Sequence, residues 1–359
     1  MTLFYFIAGL AFLIAGAEAL VRGASKLAKA VGLSPLIIGL TIVAFGTSAP
    51  EMAVSVLAGL AGNADISVGN VVGSNIFNVL FILGVSSLIT PLMVSAQLVR
   101  LDVPLMIAAS ILMWILGADG RLGRIDGVFL FAGIVIYTAF LIYQGRKLNK
   151  EAQKAKTPTL TNQKPALGAA MLVNIGLIVI GLGLLVIGSN WLVKGAVSIA
   201  QYLGVSQLLI GLTVVAAGTS LPEVATSVVA AIHGERDIAV GNVVGSNLFN
   251  ILAVLGMSAT VAPQGIAITD IALRFDIPIM TAVAVACLPI FFTGSVISRW
   301  EGGLFLGYYL AYTLYLILSA TRNDMLPLFG RAMLWFVIPI TAIALLIAFA
   351  RAIRTRKKA

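Results

Sequence analysis

Residues 39–84 of this chain occur twice. The segment GLTIVAFGTSAPEMAVSVLAGLAGNADISVGNVVGSNIFNVLFILG aligns without a gap with GLTVVAAGTSLPEVATSVVAAIHGERDIAVGNVVGSNLFNILAVLG at 211–256, at a constant offset of 172, with about 30 of 46 positions identical. Upstream, Gly16, Leu20, Val21, Gly23, Ala24 and Gly32 match Gly188, Leu192, Val193, Gly195, Ala196 and Gly204 at the same offset. Downstream, Arg100-Leu-Asp-Val-Pro104 matches Arg274-Phe-Asp-Ile-Pro278 with two extra residues. Whatever unit the first half folds into, the second half folds into again. The identity is concentrated in polar, helix-breaking segments, which argues against duplication as mere scaffolding.

Composition says where that unit lives. Of 359 residues, 60% are hydrophobic and 10% charged, against about 25% charged in a soluble globular protein. So few charges cannot cover a water-soluble globule. Apolar segments run at about 3–20, 35–61, 66–91, 103–118, 127–145, 167–190, 205–232, 238–262, 277–294, 302–319 and 332–350. Each is read as one transmembrane helix, which makes an all-α polytopic membrane protein. No basic residue precedes the first apolar segment, and Glu18 and Arg22 stand where a signal peptidase site would fall, so it is read as an uncleaved span. Five helices make one copy, and five is odd. The second copy must then enter the membrane upside down, giving two inverted five-helix repeats, a ten-helix core, with an eleventh helix appended. The divisions are 1–145 for the first repeat, 146–166 for a linker, 167–319 for the second repeat and 320–359 for the extra helix and tail. Inverted repeats with interrupted helices in matching positions are a secondary-transporter architecture, with the site at the midplane.

Charge sets the orientation. The hydrophilic stretch Arg146 to Lys164 carries six bases and one acid. With it in the cytoplasm and the spans alternating outward, 17 of the 23 bases fall inside and six outside. That ratio predicts the N-terminus outside and the C-terminus inside. The net charge of +9 is thereby explained without nucleic acid as a partner, and no protein partner is implied. One cysteine, Cys287, and one histidine, His233, exclude a disulfide framework and any Cys/His metal cluster. Gly181-Leu-Gly183 lies inside a span with no preceding strand and is no dinucleotide loop. Glu18 is read as a helix-end ion pair with Arg22, and His233 and Asp237 as solvated loop residues.

The chemistry lies in the repeated motifs. Each copy interrupts a hydrocarbon span with Gly-Thr-Ser-x-Pro-Glu: Gly46, Thr47, Ser48, Pro50, Glu51 and Gly218, Thr219, Ser220, Pro222, Glu223. Proline removes a backbone donor and frees a carbonyl one turn earlier. Ser48-x-x-Glu51 and Ser220-x-x-Glu223 fit a capping box. A cap contributes about 1 kcal/mol, whereas an acid in mid-membrane costs about 3 kcal/mol or more, so capping alone does not account for the glutamates. Two of them, one per copy, converge at the pseudo-twofold axis, and a paired negative centre calls for a cation. The next span supplies Gly69-Asn70-Val-Val-Gly73-Ser74-Asn75-Ile-Phe77-Asn78 and its twin Gly241 to Asn250. Ser74 and Asn78, like Ser246 and Asn250, share one helix face and are read as ligands. Asn70, Asn75, Asn242 and Asn247 are read as interhelical hydrogen-bond glue.

Such a ligand set is all oxygen, which selects hard cations, and two carboxylates match one Ca²⁺ better than Mg²⁺, which demands rigid octahedral geometry. Chemistry on a bound substrate is disfavoured: no Lys or Arg falls at mid-span and His233 lies in a loop, so Ser and Glu lack a dyad partner. The chain is read as no enzyme, with no cofactor beyond transported ions. A passive channel is disfavoured because the acids pair between the copies rather than forming an oligomeric ring.

The doubled GTSxPE and GNVVGSNxFN segments resemble the paired alpha-repeats of the calcium/cation antiporter superfamily, most closely the prokaryotic sodium/calcium exchangers. The resemblance covers both halves. It implies four ion sites in a diamond and alternating access by sliding of the first and sixth helices. It also implies a central Ca²⁺ site of Glu51, Glu223 and the carbonyls of Thr47 and Thr219. Na⁺ sites would use those glutamates with Ser48, Ser220, Ser74, Ser246 and the carbonyls of Ala44 and Ala216. Asn78 and Asn250 complete the candidate set. Several relatives carry an aspartate where this chain has Asn250, so a third acid is missing, which counts against K⁺ co-transport. The implied activity is exchange of three Na⁺ for one Ca²⁺, with a Ca²⁺/H⁺ antiporter on the same paired glutamates as the alternative.

Overall fold

The computed structural model describes residues 1–155 and 167–356. Its helices follow the apolar segments: α1, Thr2–Val31; α2, the bent pair Pro35–Thr47 and Ala49–Leu60; α3, Ile66–Ile89; α4, Leu98–Leu116; α5, Arg124–Ala155. In the second half come α6, Leu167–Tyr202, and α7, in the pieces Gln207–Ile210, Gly211–Val215, Ala216–Gly218 and Leu221–Ile232. Then follow α8, Arg236–Val261; α9, Ala272–Phe292; α10, Arg299–Ala320; α11, Leu326–Ala350. Among the described residues nine helices are long and apolar enough to cross a membrane, and ten if the bent pair α2 is one span. The expected seventh span is the difference. Its pieces are each too short to count alone, because Pro222 and the Gly218–Ser220 turn cut the segment.

Two helices run past the charged residues at which their apolar segments end. α1 runs on through Arg22, Lys26 and Lys29 to a left-handed Gly32, since basic side chains reach water while the backbone stays helical. Likewise the stretch expected to be linker from 146 continues α5 to Ala155. Residues 156–166, and 357–359 of the tail, lie outside the described residues.

Three pairs of π turns recur in register with the duplication: Gly39–Val43 with Gly211–Val215, Asn78–Leu83 with Phe249–Leu255, and Leu98–Asp102 with Ala272–Asp276. Such turns accompany functional sites in helices. Two short antiparallel pairs stitch the halves together: β1 (Leu92–Met93) with β4 (Val296–Ile297), and β2 (Arg121–Leu122) with β3 (Ile266–Ala267). The α3–α4 turn thus lies beside the α9–α10 turn, and the α4–α5 turn beside α8–α9.

The most extensive helix contact is α1 on α6. Glycines every seventh residue, Gly9, Gly16 and Gly23 against Gly181, Gly188 and Gly195, let the backbones nearly touch. A Cβ on Gly16 would sit 2.8 Å from the Gly181 carbonyl oxygen, and one on Gly188 would sit 2.7 Å from the Leu13 nitrogen. Small-residue seams of this kind replace the hydrophobic effect as the basis of packing inside lipid. At the centre, α8 is buried along its whole apolar window while α10 and α11 lie at the periphery. What surrounds α8 is therefore the protein's interior.

Candidate cation site

Ser48 marks the bend in α2, where the axes of the two pieces differ by 47°. Pro50 and Pro222 open the half-helices Ala49–Leu60 and Leu221–Ile232, and Glu51 and Glu223 stand in their first turns. Both carboxylates are fully buried.

The capping-box reading fails here. Neither Ser48 nor Ser220 bonds its own half-helix. Each hydroxyl crosses to the other copy instead: Ser48 Oγ donates to Glu223 Oε1 at 3.1 Å, and Ser220 Oγ to Glu51 Oε1 at 2.9 Å. In a cap the serine oxygen would accept from a peptide N–H; here the hydroxyl donates to a carboxylate, a stronger, charge-assisted bond, because the bend brings the two half-helix starts together. Ser74 Oγ lies 3.0 Å from Ser220 Oγ, and Ser246 sits beside Glu223.

The asparagines brace this centre in matched pairs. Asn70 donates to the Glu51 carbonyl (3.2 Å) and to Ser55 Oγ (2.9 Å), while its own Oδ1 accepts from Thr219 Oγ1 at 3.3 Å. Asn242 donates to the Glu223 carbonyl (3.5 Å) and to Ser227 Oγ (3.0 Å), and accepts from Thr47 Oγ1 at 3.1 Å. Asn75 and Asn247 donate to each other's backbone carbonyls at 3.2 and 3.3 Å. Asn78 donates to Asn247 Oδ1 and Asn250 to Asn75 Oδ1, both at 3.0 Å. Nearly every bond in one half has its twin in the other.

Of the predicted residues, Thr47, Ser48, Glu51, Ser74 and Asn78 and their twins Thr219, Ser220, Glu223, Ser246 and Asn250 are therefore joined in or placed beside one network. The Ala44 carbonyl, in contrast, accepts from the Ser48 amide at 3.0 Å and from Thr47 Oγ1 at 3.4 Å. Ala216 opens the short turn Ala216–Gly218. Sequence reasoning missed Ser189. Its hydroxyl donates at 2.6 Å to the Gly218 carbonyl, the carbonyl that Pro222 leaves without its helical donor. Its counterpart in the first copy is Ala17, so no repeat signal pointed to it. His233 is exposed, as expected of a loop residue, while Asp237 is not fully solvated. The Glu18–Arg22 pair is present, but His233 Nε2 sits 3.3 Å from Glu18 Oε2 and Glu235 accepts from Ser25 at 2.5 Å, so the α7–α8 turn packs on α1. Asp237 is half-buried there.

Five oxygens in the network have no hydrogen-bond partner: Glu51 Oε2, Glu223 Oε2, Asn78 Oδ1, Asn250 Oδ1 and Ser246 Oγ. Among the described residues the only ion pairs are those of Glu18, so no base balances Glu51 or Glu223. Two buried carboxylates without a cation would be strongly destabilising. Unpaired carboxylate and amide oxygens in a site without thiolate or imidazole suit a hard cation, and both acids together suit a divalent one.

Comparison with known proteins agrees. The family model described as "Sodium/calcium exchanger protein" matches residues 1–143 and 173–318. The chain is 32% identical over 310 residues to the sodium/calcium exchanger MaX1 of Methanosarcina acetivorans, covering 78% of this chain and 88% of that protein. It is 38% identical over 261 residues to the inner membrane protein YrbG of Escherichia coli, covering 70% and 77%. Solved structures of the sodium-calcium exchanger NCX_Mj superpose with a TM-score of 0.72 at 30% identity, covering 89% of this chain and 97% of that one.

Proposed function

The chain belongs to the sodium/calcium exchanger family, a family of integral membrane cation antiporters, and from that premise we propose that it exchanges Na⁺ for Ca²⁺ by alternating access. Glu51 and Glu223, with the carbonyls of Thr47 and Thr219, hold the Ca²⁺. The same carboxylates with Ser48, Ser220, Ser74, Ser246 and the Ala44 and Ala216 carbonyls hold Na⁺, while Asn78 and Asn250 contribute their amide oxygens. The single observation that carries the reading is the crossed pair: two buried glutamates, each held at one oxygen by the other copy's serine and each with its second oxygen unpaired.

We place the N-terminus outside and the C-terminus in the cytoplasm, in a prokaryotic plasma membrane, with repeats at 1–145 and 167–319. The cross-half strand pairings support inversion, because they set the α3–α4 turn beside α9–α10, on one face only if the second copy is upside down. Exchange needs no K⁺, since Asn250 supplies no third acid. The test is Ca²⁺ flux into proteoliposomes under an imposed Na⁺ gradient and, separately, an imposed pH gradient. Flux driven by Na⁺ alone supports the reading, and flux driven only by protons replaces it with Ca²⁺/H⁺ exchange on the same carboxylates.

A further inference from the structure

The appended helix encloses a space that the ten-helix core does not need. Residues matched to the family end at 318, so α11 lies outside the shared module. It packs on α9 and α10: Tyr308 on α10 donates to the Val337 carbonyl at 3.4 Å, and Phe349 packs on Phe292 of α9 with ring centroids 4.8 Å apart. Between α9, α10 and α11 a cavity of about 770 Å³ remains open, lined almost entirely by hydrocarbon. Phe275 and Ile290 on α9 both line it, so it runs for about 22 Å at 1.5 Å per residue. One leaflet of a bilayer supplies about 15 Å of hydrocarbon, so the cavity is long enough for one acyl chain.

Water has no partners on such walls, since an ordered water needs two to four polar groups. Lipid tails are the medium around α10 and α11, both peripheral. Apolar matter gains nothing by leaving that medium, so any selectivity must come from the ends of the cavity. At the end where α9 and α11 begin, Arg274 precedes the lining residue Phe275 and Arg331 follows the lining residue Gly330; both arginines are exposed. The nearby acid, Asp276, is already bonded by Tyr312 at 3.0 Å. Arginine recognises phosphate through paired donors, and basic clusters between transmembrane helices hold lipid headgroups.

We propose that the cleft between α9, α10 and α11 is a phospholipid site: one acyl chain lies along the cavity while Arg274 and Arg331 hold the phosphate. The test is native mass spectrometry of the full chain in detergent, titrated with dioleoyl phosphatidylglycerol and, in parallel, with dioleoylglycerol. Wild type should keep one phosphatidylglycerol under activation that strips the rest. Ala342→Trp, which fills the cleft from α11, should lose it, and Ala311→Phe from α10 gives the same answer if the first variant fails to fold. Arg274→Ala/Arg331→Ala should lower retention about thirtyfold without changing dioleoylglycerol binding. Equal retention in wild type and a folded cleft-filled variant would overturn the proposal, as would dioleoylglycerol bound as firmly as phosphatidylglycerol.

Discussion

Ser220 Oγ donates to Glu51 Oε1 at 2.9 Å although the two residues are 169 positions apart, and its twin Ser48 reaches Glu223 at 3.1 Å. Each copy's serine orients the other copy's acid. Neither half therefore contains a complete site, and damage to one half should be read out on the glutamate of the other.

Ser48→Ala and Ser220→Ala should weaken Ca²⁺ binding to similar extents. A hydrogen bond to a charged group contributes about 1.5–3 kcal/mol, which corresponds to about 10- to 150-fold in affinity. Isothermal titration of Ca²⁺ into each purified variant checks this. A loss in one variant and none in the other would show that the crossed bonds do not carry equal weight.

Glu51→Gln and Glu223→Gln should each abolish exchange while leaving the fold intact. Each keeps the side chain's size but removes one of the two charges that balance a divalent ion. Flux of radioactive Ca²⁺ in proteoliposomes is the measurement, with circular dichroism as the folding control. Near-normal flux in either variant removes that glutamate from the central site.

The duplication made the pairing of the two glutamates legible, because a 172-residue offset with an odd number of spans brings equivalent positions to a common axis. What the sequence left open was which serine serves which acid. Ser48-x-x-Glu51 matches a local cap and a crossed bond equally well, and only tertiary placement separates them. The π turns were also hidden, since nothing in the composition of Asn78–Leu83 distinguishes a widened turn from an ordinary one. The packing of the α7–α8 turn on α1 was hidden because the partners of His233 and Glu235, Glu18 and Ser25, lie more than two hundred positions away.

Asn247→Ala should destabilise the protein more than Asn250→Ala. Asn247 accepts from Asn78 and donates to the Asn75 carbonyl and to Met106 Sδ, so its loss leaves the buried Asn78 amide donor without a partner and removes two further contacts. An orphaned buried donor costs about 1–3 kcal/mol, and the lost contacts add to it. Asn250 makes a single donation, to Asn75. Thermal unfolding in detergent should therefore show the larger fall in midpoint for Asn247→Ala, and the reverse order would contradict the bracing role.

Truncation after Ala320 should leave exchange in place. Nothing in the first copy corresponds to residues 320–359, and α11 contributes no residue to the network around Glu51 and Glu223. Reconstituted truncated protein should carry Ca²⁺ at close to the full-length rate. If it folds and binds Ca²⁺ normally but transports nothing, α11 takes part in the transport cycle.

Transport should be electrogenic, and the reason lies in the charge carried at the site. With both glutamates ionised, one Ca²⁺ leaves the site neutral and three Na⁺ leave it with one positive charge. Either state is tolerable in a low-dielectric bundle. The empty site, with two negative charges and no base among the described residues to offset them, is not. Empty carriers should therefore cross poorly, which enforces exchange over leak. Only the Na⁺-loaded step then moves net charge through the field, at about 2.3 kcal/mol per 100 mV. Because Asn250 stands where an aspartate would add a further charge, two Na⁺ per Ca²⁺ is the competing count, and it is electrically silent. Proteoliposomes clamped with K⁺ and valinomycin separate the two. An inside-negative potential should accelerate Ca²⁺ efflux coupled to Na⁺ entry if three Na⁺ enter for each Ca²⁺ that leaves, and should leave it unchanged if two enter. Flux that ignores potentials of either sign would rule out three-for-one exchange and establish the electroneutral count.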